Sequence, residues 1–219
     1  MERKFKFSID EYYHLYNRGV NKSVIFNSDS DRDRFVKLLF ISNSSKPVVF
    51  KSIRDVPLEQ VDRGETLVDI GAYCLMPNHF HLLLREKKEG GITSFLSKLL
   101  TGYSMYFNKR YERTGRLFES SFKATYVDSD EYLKYLFAYV HLNPVKIIDS
   151  RWKERGILNL DAAQEYINKY RYSSYLDYTS TGCRSESILL NKESFPAYFT
   201  EPKDFKHFIN DWLDFHNIE

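Results

Sequence analysis

Hydrophobic and polar positions along the chain keep switching between a strand-like and a helix-like spacing. An aromatic-rich run, "DEYYHLYNRGVNK" (10–22), predicts a first strand that ends at the turn signal Asn17-Arg18-Gly19. Asp29 or Ser30 can cap the next segment, where Phe35, Leu38, Leu39 and Ser42 fall at helical spacing. Acidic residues occupy its first turn, where the helix dipole favours them. Residues 44–66 are polar, carry Pro47 and Pro57, and predict a loop or irregular insertion. "TLVDIGAYCLM" (66–76) then predicts a strand, Pro77-Asn78 a turn, and "HFHLLLREK" (79–87) the antiparallel partner.

Gly90-Gly91 breaks the pattern before a helix over 92–113, in which Phe95, Leu99, Tyr103 and Tyr106 share a face and the end is basic. "GRLFESSFKATYV" (115–127) alternates imperfectly, as a hairpin or an extended arm would. Ser129 or Asp130 caps a second strong helix, "EYLKYLFAYVHL" (131–142), which stops at Asn143-Pro144. Farther on, the pattern predicts a helix over 161–169, an aromatic polar stretch over 169–182 and a C-terminal helix over 204–216. Strands and helices interleave with at least one hairpin. That favours an α+β architecture over a doubly wound parallel sheet.

Composition narrows the class without choosing a function. The 219 residues suffice for a sizeable core, and 42% are hydrophobic against 28% charged. No apolar run approaches the roughly 18 residues of a membrane helix, and "MERKFKFSIDEYY" has no apolar signal-peptide region. Cys74 and Cys183 stand far apart with no CxxC pair, so a reduced, cytoplasmic protein is expected. A net charge of +2 does not announce a nucleic-acid binder. The 17 Tyr and 17 Phe, many beside Lys or Arg, suit base stacking, although aromatic residues ordinarily fill cores.

The chemistry concentrates in "CLMPNHFHLLL" (74–84). Strand alternation puts His79, His81, Leu83 and Arg85 on one face and Phe80, Leu82 and Leu84 on the other. Two imidazoles side by side can hold a divalent metal with open positions, or can simply be hydrogen-bonded histidines. The strand alone leaves both readings standing. On the helix over 131–142, Tyr135, Tyr139 and Asn143 follow one another at four-residue spacing on one face. Asn before Pro144 is also an ordinary helix-ending signal, and tyrosines on such a helix are ordinarily packing residues. His141 points elsewhere and suits a polar or packing role.

In order along the chain, "YHLYNRG", "MPNHFHLLL", a helix after a glycine break, "GRLFESSFKA" and "YVHLNPVK" resemble the single-tyrosine HUH transposases. Among these they are most similar to the REP-associated tyrosine transposases and their insertion-sequence relatives. The His–hydrophobic–His triplet is His79-Phe80-His81. The resemblance covers roughly residues 5–150, and "YRYSSYLDY" (170–178) extends it.

The resemblance implies a ferredoxin-like or RRM-like antiparallel sheet backed by helices, with the histidine motif on a central strand. It implies a core over 1–150, with 44–66 inserted, and a partly helical C-terminal extension over 151–219. It makes His79, His81 and Asn143 ligands of Mg²⁺ or Mn²⁺ and Tyr139 the nucleophile, with Tyr135 a lesser candidate. The implied reaction is metal-dependent nicking and joining of single-stranded or hairpin DNA through a 5′-phosphotyrosine, by a monomer or a homodimer. Metal proximity or a nearby base would have to help deprotonate the tyrosine.

Arg18, Arg85, Lys109, Arg110, Arg113 and Arg116 are candidate DNA contacts, the cluster at 109–116 being more persuasive than any single member. Relatives often carry Gln and Arg where this chain has Glu119 and Ser121, which removes positive charge near the DNA path. Two other readings compete. One is a domesticated protein that recognises repeated hairpins with little or no cleavage. The other is a metal hydrolase of another class, against which the lack of an obvious further Asp/Glu/His ligand set argues.

Overall fold

A computed structural model describes residues 6–47, 49–53, 56–180, 182, 184–199 and 201–215. Strands β1 (Tyr12–Arg18), β2 (Val68–Met76), β3 (His79–Glu86) and β4 (Lys123–Tyr126) make one antiparallel sheet in the order β2-β3-β1-β4. The histidine motif therefore lies on a central strand. The arm over 115–127 contributes only the short edge strand β4, paired to β1.

Alternation gives the sheet two apolar faces. Tyr13, Leu15, Phe80, Leu82 and Leu84 pack against α1 (Asp29–Ser42) and α2 (Gly91–Arg110). Phe80, Leu82 and Leu84 are fully buried, each worth roughly 1.5–3 kcal/mol relative to an exposed side chain. On the other face Ala72, Cys74, Met76 and Leu83 lie under α3 (Asp130–Leu142). This second layer continues through α4 (Val145–Ile148), α5 (Trp152–Arg155), α6 (Leu160–Lys169), α7 (Tyr175–Thr179) and α8 (Pro202–Phe215). Trp152, Ile167, Tyr175, Phe205 and Ile209 join its core. The face that carries the histidines is thus largely roofed by helices.

Two caps hold the helices to the sheet. α1 is capped by Ser28, one residue before Asp29 and two before Ser30, the expected caps, because the Asp31 carboxylate reaches back to the backbone N–H groups of Asn27 (2.9 Å) and Ser28 (3.0 Å). Glu86, the last residue of β3, accepts from the N–H groups of Gly91 and Ile92, which points α2 back beneath its own strand. The register of β2 shifts between Ile70 and Ala72, so Val68, Ile70, Tyr73 and Leu75 all reach the α1/α2 core. Gly71 lies at that bulge because the Phe195 ring presses on it: a Cβ there would come 2.5 Å from the ring.

The polar insertion forms short 3-10 turns at Phe50–Ile53 and Leu58–Gln60. The outer edge of β2 is covered by residues 172–174: Leu75 N–H donates to Tyr172, and Ser174 N–H donates to Tyr73. Cys74 is buried with a free thiol. Cys183 and the predicted helix end at His216 lie outside the described residues.

Candidate active site

Antiparallel pairing of β1 with β3 sets His14 opposite Leu83, Tyr16 opposite His81 and Arg18 opposite His79, all on the α3 side of the sheet. His14 and His81 are buried and their rings stack 5.1 Å apart, with His14 Nε2 2.9 Å from His81 Nδ1. The His79 ring meets that of His81 edge-on at 5.0 Å, and its Nδ1 lies 2.7 Å from Asn78 Oδ1. Both motif histidines thus have Nδ1 engaged by a neighbour. An Nδ1–H donor on each leaves Nε2 as a lone pair.

α3 lays Tyr139 on this set. The capping hydroxyl of Ser129 accepts from Tyr132 N–H and fixes the start of the helix. Ten residues on, the half-buried Tyr139 ring stands edge-on to His81 (5.3 Å) and to His14 (5.6 Å). Tyr135 lies one turn away: its ring packs on Tyr139 (5.8 Å) and Trp212 (5.4 Å) and touches neither histidine in a ring contact. Helical backbone continues through Asn143 and Pro144 into α4, so Asn143 is not a left-handed helix end. Its Nδ2 donates to the Tyr139 carbonyl at 2.7 Å, and its Oδ1 is buried with no partner among the described residues.

Burial and cations keep the imidazoles neutral. His14 falls to about 4 through burial and then the Lys153 ammonium. His79 also falls to about 4, through burial and then Lys146, Arg18 and Lys153. His81 is pushed well below the ordinary range by burial, its two histidine neighbours and both lysines. Neutral imidazole is the metal-binding form. Burial raises the Tyr139 hydroxyl above its ordinary value, with Tyr135 adding to this and the Asn143 amide opposing it. The tyrosine is therefore a phenol as it stands.

Among the described residues no three His, Cys, Asp or Glu side chains converge closely enough to hold a metal. Any site on this face needs a donor of another kind, and the orphaned Oδ1 of Asn143, whose amide is bonded to the Tyr139 carbonyl, is of that kind and could add to the two imidazole nitrogens. That donor set is chemically suited to a divalent ion with open positions.

The structure brings Tyr139 together with the histidines, but of the expected DNA-contact residues only Arg18 stands near them, opposite His79. Arg85, at the far end of β3, has its guanidinium bonded to Asp10 and, at 3.1 Å, to Asp69. Arg18 pairs with Glu119 at 3.0 Å. Lys109 and Arg110 line an open cavity of about 770 Å³ on the α1/α2 side of the sheet. Arg110 is also 3.6 Å from Asp31, and Arg113 donates to Asn108. Arg116 is exposed.

Two groups at the site were not singled out from sequence. His14 could have been found by alternation: Tyr12, His14 and Tyr16 share a face, and pairing with the motif strand aligns it. Lys153, whose Nζ lies 3.7 Å from the Tyr139 ring centroid, carried no local signal.

A family model described as "Transposase IS200 like" matches residues 12–143. A comparison with curated proteins returns no match. Among solved structures, the fold is similar to that of a REP-associated tyrosine transposase bound to a REP hairpin, with a TM-score of 0.51 and 13% identity over 85% of this chain and 90% of that one. Among the described residues no helix is long and apolar enough to cross a membrane.

Proposed function

Because the chain belongs to the IS200-like transposase family, we propose that it nicks and rejoins single-stranded or hairpin DNA, with Tyr139 as nucleophile. The observation that carries this is the edge-on packing of the Tyr139 ring on His81 and His14 of the same chain. A site assembled in one chain serves a monomer as it stands. The hairpin bound by the fold neighbour supports a hairpin as substrate here.

Tyr139 Oη attacks the phosphorus, the bond to the 3′ oxygen breaks, and the freed strand leaves as a 3′-hydroxyl. The product is a 5′-phosphotyrosine, and attack by another 3′-hydroxyl reverses the exchange without loss of the phosphodiester's energy. His79 and His81 through Nε2, with Asn143 through Oδ1, would hold Mg²⁺ or Mn²⁺. Such an ion neutralises the phosphodiester and polarises a non-bridging oxygen. His14 positions the His81 ring through Nδ1. The Asn143 amide opposes the effect of burial on the Tyr139 hydroxyl. Rings of Tyr132, Tyr135 and Trp212 beside it suit stacking on unpaired bases.

The test is a panel of labelled hairpins with single-stranded flanks, incubated with Mn²⁺ and run on a denaturing gel. A covalent protein–DNA band should appear, vanish in Tyr139→Phe and persist in Tyr135→Phe. Hairpin binding with no band under any metal would replace this reading with that of a DNA-binding protein that does not cleave.

A further inference from the structure

The family match ends at residue 143, yet the cation nearest the tyrosine comes from beyond it. α5 is short, but it is firmly placed. Trp152 is buried in the second core. The Asp149 carboxylate gathers the loop by accepting from the N–H groups of Arg151 and Leu158 and from the Arg155 guanidinium. Gly156 ends the turn at φ +77°, a left-handed conformation that favours glycine. Between these anchors Lys153 is half-buried, with Nζ 3.7 Å from the Tyr139 ring centroid and 5.4 Å from that of Trp152.

No carboxylate among the described residues lies within ion-pair distance of Lys153 or of Lys146. The two ammonium groups repel each other across the site, and burial followed by Lys146 lowers Lys153 to about 8. The field of Lys153 also reaches His14, His79 and His81. A half-buried ammonium that faces a second cation and has no counter-ion is unfavourable until an anion arrives. Tyr139 and the imidazoles adjoin this charge, and the substrate proposed above brings an anionic phosphodiester to that tyrosine.

Resting on the nicking and joining reading above, we infer that Lys153 binds a non-bridging oxygen of the phosphodiester that Tyr139 attacks. The segment after α3 is then part of the active site and supplies a charge-assisted contact to the scissile phosphate. The contact is direct, so Lys153 is a substrate-binding residue as well as a neighbour of the nucleophile.

Two measurements test this. Rates of covalent adduct formation are compared for wild type, Lys153→Met and Lys153→Arg, with thermal melts recorded for each. Loss of one charge-assisted hydrogen bond should slow Lys153→Met by about 10- to 100-fold, and Lys153→Arg should recover most of the rate. Separately, Tyr139→Phe protein is treated with an amine-acetylating reagent, with and without the hairpin, and Lys153 modification is read by mass spectrometry. Bound hairpin should protect Lys153 several-fold. A wild-type rate in Lys153→Met, or equal modification of Lys153 with and without bound DNA, would overturn the inference. A wild type that binds the hairpin but forms no adduct would sink the nicking reading and with it the attacked phosphate. Protection would then assign Lys153 to DNA binding alone.

Discussion

Acidification from pH 7.5 to 5 should cost the fold about 2 kcal/mol at His141 alone. This residue is fully buried on the helix that carries Tyr139. Its Nδ1–H donates to the Phe137 carbonyl at 2.7 Å, and its Nε2 accepts from the Ser174 hydroxyl at 2.6 Å. That hydroxyl oxygen in turn accepts the N–H of Tyr73 on β2 at 3.0 Å. One neutral imidazole thus ties α3 to the sheet edge. Burial, with a smaller contribution from Lys192, lowers it to about 4, while the Phe137 carbonyl works in the opposite direction. In the unfolded chain the same group titrates near its usual value of about 6.5. Between those values the unfolded chain holds the proton and the folded chain does not, so stability rises with pH across the window. The contribution is complete above about pH 6.5. It falls by roughly 3 kcal/mol once pH drops below about 4, with some 2 kcal/mol of that gone by pH 5. The assay is urea unfolding of wild type and His141→Gln at pH 7.5 and 5. The variant keeps an amide donor but cannot titrate, and every other group is common to both proteins. The pH-induced loss in wild type should exceed that in the variant by about 2 kcal/mol, a difference near 1 M in urea midpoint. Equal losses in the two proteins would refute a buried neutral His141.

Two further perturbations follow from the same geometry. His14→Ala removes the group that holds His81 Nδ1, and Mn²⁺ affinity measured by calorimetry should fall about 10- to 100-fold; unchanged affinity would show that the 2.9 Å contact orients no ligand. Asp31 is fully buried and accepts from two backbone N–H groups and from the hydroxyls of Tyr106 and Tyr111. Asp31→Ala should therefore destabilise by about 3 kcal/mol or more in chemical denaturation, and a loss under about 1 kcal/mol would contradict its role as the anchor of α1.

What could be read along the chain is what short-range spacing controls. Period-two alternation separates His79 and His81 from Phe80, Leu82 and Leu84, and this follows from strand geometry whatever the neighbours are. Four-residue spacing likewise sets Tyr135, Tyr139 and Asn143 on one helix face, and Ser129 caps that helix through its own side chain. What pairs with a surface charge is a different matter. Arg85 reads as a free cation beside the histidines until the register of β3 brings Asp69 of β2 beside it and Asp10 closes on it from before β1. Arg18 is engaged by Glu119, a hundred residues away in sequence. His14 becomes a neighbour of His81 only through the β1–β3 register, and Lys153 reaches Tyr139 only because Trp152 and Asp149 fold the loop after α4 back over the site. Sequence alone therefore determined the three long strands, the long helices α1, α2, α3, α6 and α8, and the faces on which the reactive side chains stand, but not the short edge strand β4 or the short helices α4, α5 and α7. Tertiary structure decided which charges are neutralised and which are left to meet an anion, because Coulombic partners are chosen by distance in space and no local periodicity encodes that distance.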